Sequence, residues 1–104
     1  MAKVLSRPPQ LLDSGPVLHY ANVDRGVGYA GRTLLFVDGK ELGRVPNLAI
    51  CAEVTSGGVL LFHCNRAWKV LGCSAHDSVG AAKEKAERIY PGLSSRWVEA
   101  NANP

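Results

Sequence analysis

The sequence predicts an α+β domain: an antiparallel β-meander of four to six strands with one C-terminal helix packed on a sheet face. Three observations carry this. Extended apolar runs at 17–23, 33–37, 47–54, 59–64 and 69–73 are separated by turns rich in glycine, asparagine and proline. Asp38-Gly39 sits between two extended segments, the dipeptide best suited to a two-residue hairpin turn. Val79, Ala82, Ala86 and Ile89 recur at spacings of three and four, which puts them in one stripe along a helix.

Taken in order, residues 1–15 read as a flexible N-terminal arm. Pro8-Pro9 and Asp13-Ser14-Gly15-Pro16 interrupt any regular pattern there, and Leu11 and Leu12 are available to dock on the domain. Residues 16–100 form the single α+β domain, and 101–104 a frayed C-terminus. The first strand is Val17–Val23. Gly26-Val27-Gly28-Tyr29-Ala30-Gly31 matches G-x-G-x-x-G, but a strand follows it where dinucleotide binding needs a helix N-terminus. The segment is therefore expected to be a bend or bulge that glycine permits. Residues 33–37 and 40–45 make the Asp38-Gly39 hairpin, and Pro46 ends it. Strands 47–54, 59–64 and 69–73 follow, turning at Ser56-Gly57 and at Asn65–Trp68, each expected to pair with the strand before it. Asp77 or Ser78 supplies the helix N-cap, and Pro91-Gly92 stops the helix. Arg96–Glu99 reads as a short last strand or an extended tail.

Composition bounds the function classes. The 104 residues are 46% hydrophobic and 20% charged, an ordinary globular balance that supports one core. No apolar run approaches the roughly 18 residues of a membrane helix. The start is broken by prolines before any signal-like apolar stretch develops. Three cysteines are an odd number, which suits reduced thiols and a cytoplasmic location. The formal net charge of +3 permits a nucleic-acid or acidic partner without arguing for one. No cofactor motif stands up.

Strand alternation sorts the side chains. With tight turns at 56–57 and 66–67, Cys51 faces Phe62 and Leu60 faces Cys73. Cys51, Leu60, Phe62, Cys64, Leu71 and Cys73 then share one face, and Ile50, Ala52, Val54, Val59, Leu61, His63 and Val70 share the other. Both faces are apolar, yet a single helix covers only one. The second needs either the hairpin of residues 33–45 folded across it or a partner chain. Ile50, Val54, Leu61 and Val70, with Trp68 as an anchor, are the candidate interface of a homodimer or another protein complex.

Two rival chemistries are weighed against this interaction module. Cys64, Cys73 and His76 suggest a small enzyme or metal protein, but only Cys73-x-x-His76 approaches ligand spacing. His63 and Cys64 are neighbours in a strand, so they point to opposite faces and do not form a base–nucleophile pair. Small buried thiols are the simpler reading of all three cysteines. Arg25, Arg32, Arg44, Arg66 and Lys69 sit at turns and strand ends, a possible basic rim for nucleic acid with Tyr20, Tyr29 or Trp68 to stack on bases. The simpler reading there is a solvated rim. The sequence favours a non-enzymatic interaction module that associates with itself.

Overall fold

In the computed structural model, which describes residues 7–12, 15–53 and 55–100, the extended runs assemble into one antiparallel sheet with a single α-helix packed on it. The strands are β1 (Leu11–Leu12), β2 (Gly15–Asn22), β3 (Phe36–Val37), β4 (Lys40–Glu41), β5 (Asn47–Ala52), β6 (Val59–Cys64), β7 (Val70–His76) and β8 (Val98–Glu99), with α1 at Val79–Ile89 and a 3₁₀ turn at Leu93–Ser95. The main sheet runs β1-β2-β5-β6-β7, and β8 joins the outer side of β2. Part of the expected arm therefore belongs to the sheet, since Leu11 and Leu12 pair with Pro16 and Gly15. The expected frayed C-terminus lies outside the described residues.

The meander holds from β5 to β7 but fails before it. β2 pairs directly with β5, and residues 33–45 leave the sheet as a separate two-stranded hairpin. The backbone gives the reason. Gly31 (φ 94°) and Leu34 (φ 59°) lie in the left-handed region, which turns the chain out of an extended path before β3 can join β2.

Two further differences concern register. The β5–β6 loop is longer than a two-residue turn, so Cys51 faces Leu60 and Ile50 faces Leu61. That slip of two residues keeps every side chain on its expected face, because strand alternation has a period of two. β7 carries a bulge at Leu71: His63 pairs with Gly72 but Cys64 pairs with Val70. Val70 thereby moves to the Cys64 side and Leu71 to the helix side, opposite to the sequence expectation.

Both sheet faces are indeed apolar. The helix side buries Ala21, Leu48, Ile50 and Leu61 beneath Ala82, Ala86, Ile89, Tyr90 and Leu93. The other side buries Val17, Tyr20, Ala49, Cys51, Phe62 and Cys64, joined by Leu12 from β1 and Trp68 from the β6–β7 turn.

Ser78 caps α1, its hydroxyl accepting from the Ala81 N–H at 3.1 Å. The glycine segment serves the other end. Gly28 N–H donates to Pro91 O and Ala30 N–H to Ile89 O, both at 2.8 Å. The loop thus satisfies carbonyls at a helix C-terminus, where the dipole repels an anion, and the G-x-G-x-x-G match has nothing to do with phosphate. Glu87 then accepts from Gly92 N–H (2.8 Å) and Ser94 N–H (2.9 Å), which holds its carboxyl below the usual range. Ala86 is fully buried against the sheet, while Glu84 is exposed in an ion pair with Arg88. Ala86→Leu is expected to cost about 1–3 kcal/mol by overpacking, and Glu84→Ala less than about 0.5 kcal/mol. Chemical denaturation of the two variants checks this; equal tolerance at both positions contradicts the packing.

Candidate functional site

The site with the clearest chemistry is the hairpin that leaves the sheet. Asp38 (φ 52°) and Gly39 (φ 79°) both take positive φ, as a two-residue turn of matching twist requires. Phe36 pairs with Glu41 and Val37 with Lys40. Two pairs alone are marginal, and the hairpin is braced by polar groups instead. Glu41 accepts from the Leu34 N–H at 2.8 Å and from Arg32 Nε at 3.1 Å. The Leu34 N–H, and then Arg32, hold the Glu41 carboxyl below the usual range against the opposing effect of its partial desolvation. Thr33 Oγ1 donates to Leu42 O, and Leu42 N–H returns to Leu35 O at 2.7 Å.

This bracing displays apolar side chains instead of burying them. Phe36 is 61% exposed, Leu34 58% and Val37 40%. Leu34 is also held in a left-handed conformation that costs a non-glycine residue on the order of 1 kcal/mol. The hairpin's inner side rests on β7 at Gly72, where an added Cβ would come within 3.3 Å of Leu42 Cδ2 and 3.5 Å of Val37 Cγ2.

β7 is the outermost strand at this side of the sheet, and no strand among the described residues pairs with its outer edge. Cys73 and Ala75 are exposed along it. At its end the Ser74 hydroxyl and His76 Nε2 are 2.8 Å apart. Burial lowers the His76 pKa first, with Lys85 adding to the effect and Asp77 opposing it, so the ring is neutral at pH 7. An open cleft of about 350 Å³ lies between His76, Asp77 and the Ser56–Val59 turn. Ser74 does not line that cleft.

The residues singled out in the sequence are dispersed. Ile50 and Leu61 are fully buried beneath α1, within the chain's own core. Val70 is half-buried on the opposite face, and Val54 lies outside the described residues. Trp68 is buried as well, its ring edge-on to Tyr20 at 5.8 Å between centroids. It acts as a lid over the second cluster. Trp97 is half-buried against the helix side with the Lys83 ammonium 5.9 Å from its ring centroid. Cys51 and Cys64 are buried as expected, but Cys73, on the edge strand β7, is exposed. Cys64, Cys73 and His76 do not come together: Cys64 opposes Val70, Cys73 opposes Phe62, and His76 sits on the helix side opposite Val59. Among the described residues no three His, Cys, Asp or Glu side chains stand where they can hold a metal ion.

The arginine rim divides too. Arg32 is tied to Glu41, and Arg44 Nη2 donates to Asp24 O at 3.0 Å, leaving Arg25, Arg66 and Lys69 exposed near that end of the sheet. The aromatic rings offered for stacking are engaged, Tyr20 with Trp68 and Tyr29 on Tyr90 at 5.4 Å.

His63 stands apart. It is fully buried between Leu48 and Gly72, and neither ring nitrogen has a hydrogen-bond partner among the described residues. Burial, then Lys85 and His76, lowers its pKa from 6.5 to about 4.

The exposed hairpin side chains are what sequence reasoning missed. The signal was present, since Leu34-Leu35-Phe36-Val37 is four consecutive apolar residues, and a strand with one buried face hides only alternate ones. Compared with known proteins, the chain matches no protein-family model, no curated protein and no solved structure.

Proposed function

We propose that this protein is a non-enzymatic interaction module whose partner is a second copy of itself, docking through the β3–β4 hairpin. The observation that carries the reading is the display of Leu34 and Phe36 on a hairpin that Glu41, Arg32 and Thr33 hold rigid. A rigid apolar protrusion loses little conformational freedom on docking, which is where interface residues gain affinity. An aromatic flanked by aliphatic side chains is also the composition expected at the centre of an interface. A cytoplasmic location suits the exposed Cys73 thiol.

Phe36→Ser and Leu34→Ser test it. Wild type is expected to sediment as a dimer at micromolar concentration. Each substitution is expected to weaken association about tenfold or more, the scale of losing one central contact. Because both side chains are exposed, the thermal transition of the dissociated chain should stay where it is. A wild type that sediments as a monomer, or a dimer indifferent to both substitutions, overturns the reading.

A further inference from the structure

We infer that the β3–β4 hairpin is an acid-released lid: protonation of His63 lifts residues 32–42 off β7 as one body while the sheet and α1 stay closed. The inference goes beyond the self-association proposed above and does not depend on it. Leu34 and Phe36 are exposed, whereas the hairpin meets β7 through Val37 and Leu42.

The segment is built to move as a unit. Among the described residues, every hydrogen bond and ion pair made by residues 32–42 falls within that segment. Arg32 and the Leu34 N–H donate to Glu41, Thr33 Oγ1 to Leu42 O and the Leu42 N–H to Leu35 O, beside the β3–β4 ladder itself. Its contact with β7 is apolar, with Leu42 and Val37 resting on Gly72. The chain is pinned just outside both ends. Ala30 N–H donates to Ile89 O at 2.8 Å, and Val45 N–H donates to Tyr90 Oη at 2.9 Å, so both anchors belong to the end of α1. A glycine stands between each anchor and the braced segment, Gly31 before it and Gly43 after it. A Cβ added at either would meet nothing within 4 Å. Unpacked glycines between a rigid piece and a fixed one are where a chain bends with least resistance.

Under the lid lies His63. It opposes Gly72 in the β6–β7 register, and paired residues share a sheet face, so its ring is on the face that Leu42 and Val37 cover. It is fully buried, and neither nitrogen has a partner among the described residues. Nothing around it welcomes a charge. The hairpin brings Val37 and Leu42, β5 brings Leu48, α1 brings Lys85 and β7 brings His76. Asp77 acts on His76 instead, and Glu41 is turned to Arg32 and the Leu34 N–H. An imidazolium in this place has to reach water. The hairpin is the cover that yields first, since it has two ladder pairs and lies off the main sheet, whereas α1 is sealed by Ala82, Ala86, Ile89, Tyr90 and Leu93.

The proton is then a ligand that binds the open form better than the closed one. Burial holds the closed His63 pKa at about 4, and lifting the lid returns it toward 6.5. As pH falls the open form takes up a proton first, so the ratio of open to closed lids rises about twentyfold between pH 7 and pH 5.

The test places a thiol under the lid. In Leu42→Cys, the rate of reaction with a pyridyl disulfide, divided by the rate for the unfolded chain at the same pH, measures opening, and mass spectrometry locates the label. That ratio is expected to rise about twentyfold from pH 7 to pH 5, and to stay level when His63→Leu is added. Cys51 and Cys64, buried on the other sheet face, should stay unlabelled throughout, which shows that the sheet remains closed. Wild type is followed in parallel by NMR, which needs no substitution. The amide signals of residues 32–43 and of Gly72 should move with the His63 ring titration, and those of Val17 and Tyr20 on the far face should not. Labelling of Leu42→Cys in step with Cys51 and Cys64 means global unfolding and overturns the lid. A level rate with His63 present, an equal rise without it, or hairpin signals indifferent to the ring titration overturns it as well.

Discussion

Lowering the pH from 7 to 4 is expected to remove about 3 kcal/mol from the folding free energy through His63 alone, the energy of a pKa displaced from 6.5 to about 4. The sign follows from the direction of the shift. Between those values the unfolded chain binds a proton that the native chain refuses, so stability rises with pH across this window and is lost as pH falls through it. The groups that face His63 reinforce the effect: Lys85 from α1 and His76 from β7 both disfavour a third positive charge. The rest of its surroundings, Leu48 on β5 and Gly72 on β7 beneath Leu42 and Val37, offer an imidazolium nothing. His19 and His76, also lowered, act in the same direction, and the depressed carboxylates of Glu41 and Glu87 begin to lose their contribution only as pH falls below their ordinary value of 4.5, at the acid end of this window. His63→Leu separates these. It should leave stability at pH 7 unchanged or raised, since two buried ring nitrogens with no partner among the described residues are replaced by apolar surface. It should also flatten the loss between pH 6.5 and 4. Denaturant midpoints against pH measure both; an equally steep loss in His63→Leu removes His63 as the cause.

Trp68→Ala is expected to cost about 3–5 kcal/mol, the range for deleting a large buried aromatic. The turn that carries Trp68 shows what fixes it there. Asn65 Oδ1 accepts from the Ala67 and Lys69 N–H groups, both at 2.9 Å, and Trp68 N–H donates to Asn65 O at 2.9 Å. Asn47 Nδ2 reaches Asn65 O at 3.0 Å, and Asn22 Nδ2 reaches Asn47 Oδ1 at 2.9 Å, which pins the turn to the neighbouring strands. This network holds Trp68 at φ 65°, a left-handed conformation rare for an aromatic residue, and so aims its ring back over Tyr20 and the second cluster. Arg66→Ala, one position from the turn's centre but exposed, should stay within about 0.5 kcal/mol. A midpoint for Trp68→Ala close to wild type would mean that the second face does not depend on this lid.

The parts of this fold that repeat with a period were legible in the sequence. The α1 stripe and the side-chain alternation of β5 and β6 follow from 3.6- and 2-residue periods, and the alternation survived a two-residue slip in register. A single inserted residue has no such signature. The bulge at Leu71 reversed Val70 and Leu71 without disturbing the pattern on either side. Partner choice was equally silent. Asp38-Gly39 marked the hairpin turn, but whether the hairpin joined β2 depended on Leu34's backbone and on Glu41 across the turn. That both sheet faces are apolar was plain. What covers the second was not, because Leu12 and Trp68 are single residues from a short strand and a turn. Ile50 and Leu61, expected at an interface, lie beneath α1, whereas Leu34 and Phe36 on the hairpin are exposed.

The docking of the glycine loop on the end of α1 has a consequence for synthesis. A ribosome delivers Gly28 and Ala30 long before Ile89 and Pro91, whose carbonyls those amides require. Leu48, Ile50 and Leu61 likewise emerge before the alanines that seal them. The nascent chain therefore carries a half-finished sheet, one side bare and its first loop waiting, until α1 has been made. Closure comes late and involves the loop, the sheet and the helix together. The time taken to translate residues 65–93 sets how long that bare side is open to chaperones and to other nascent chains.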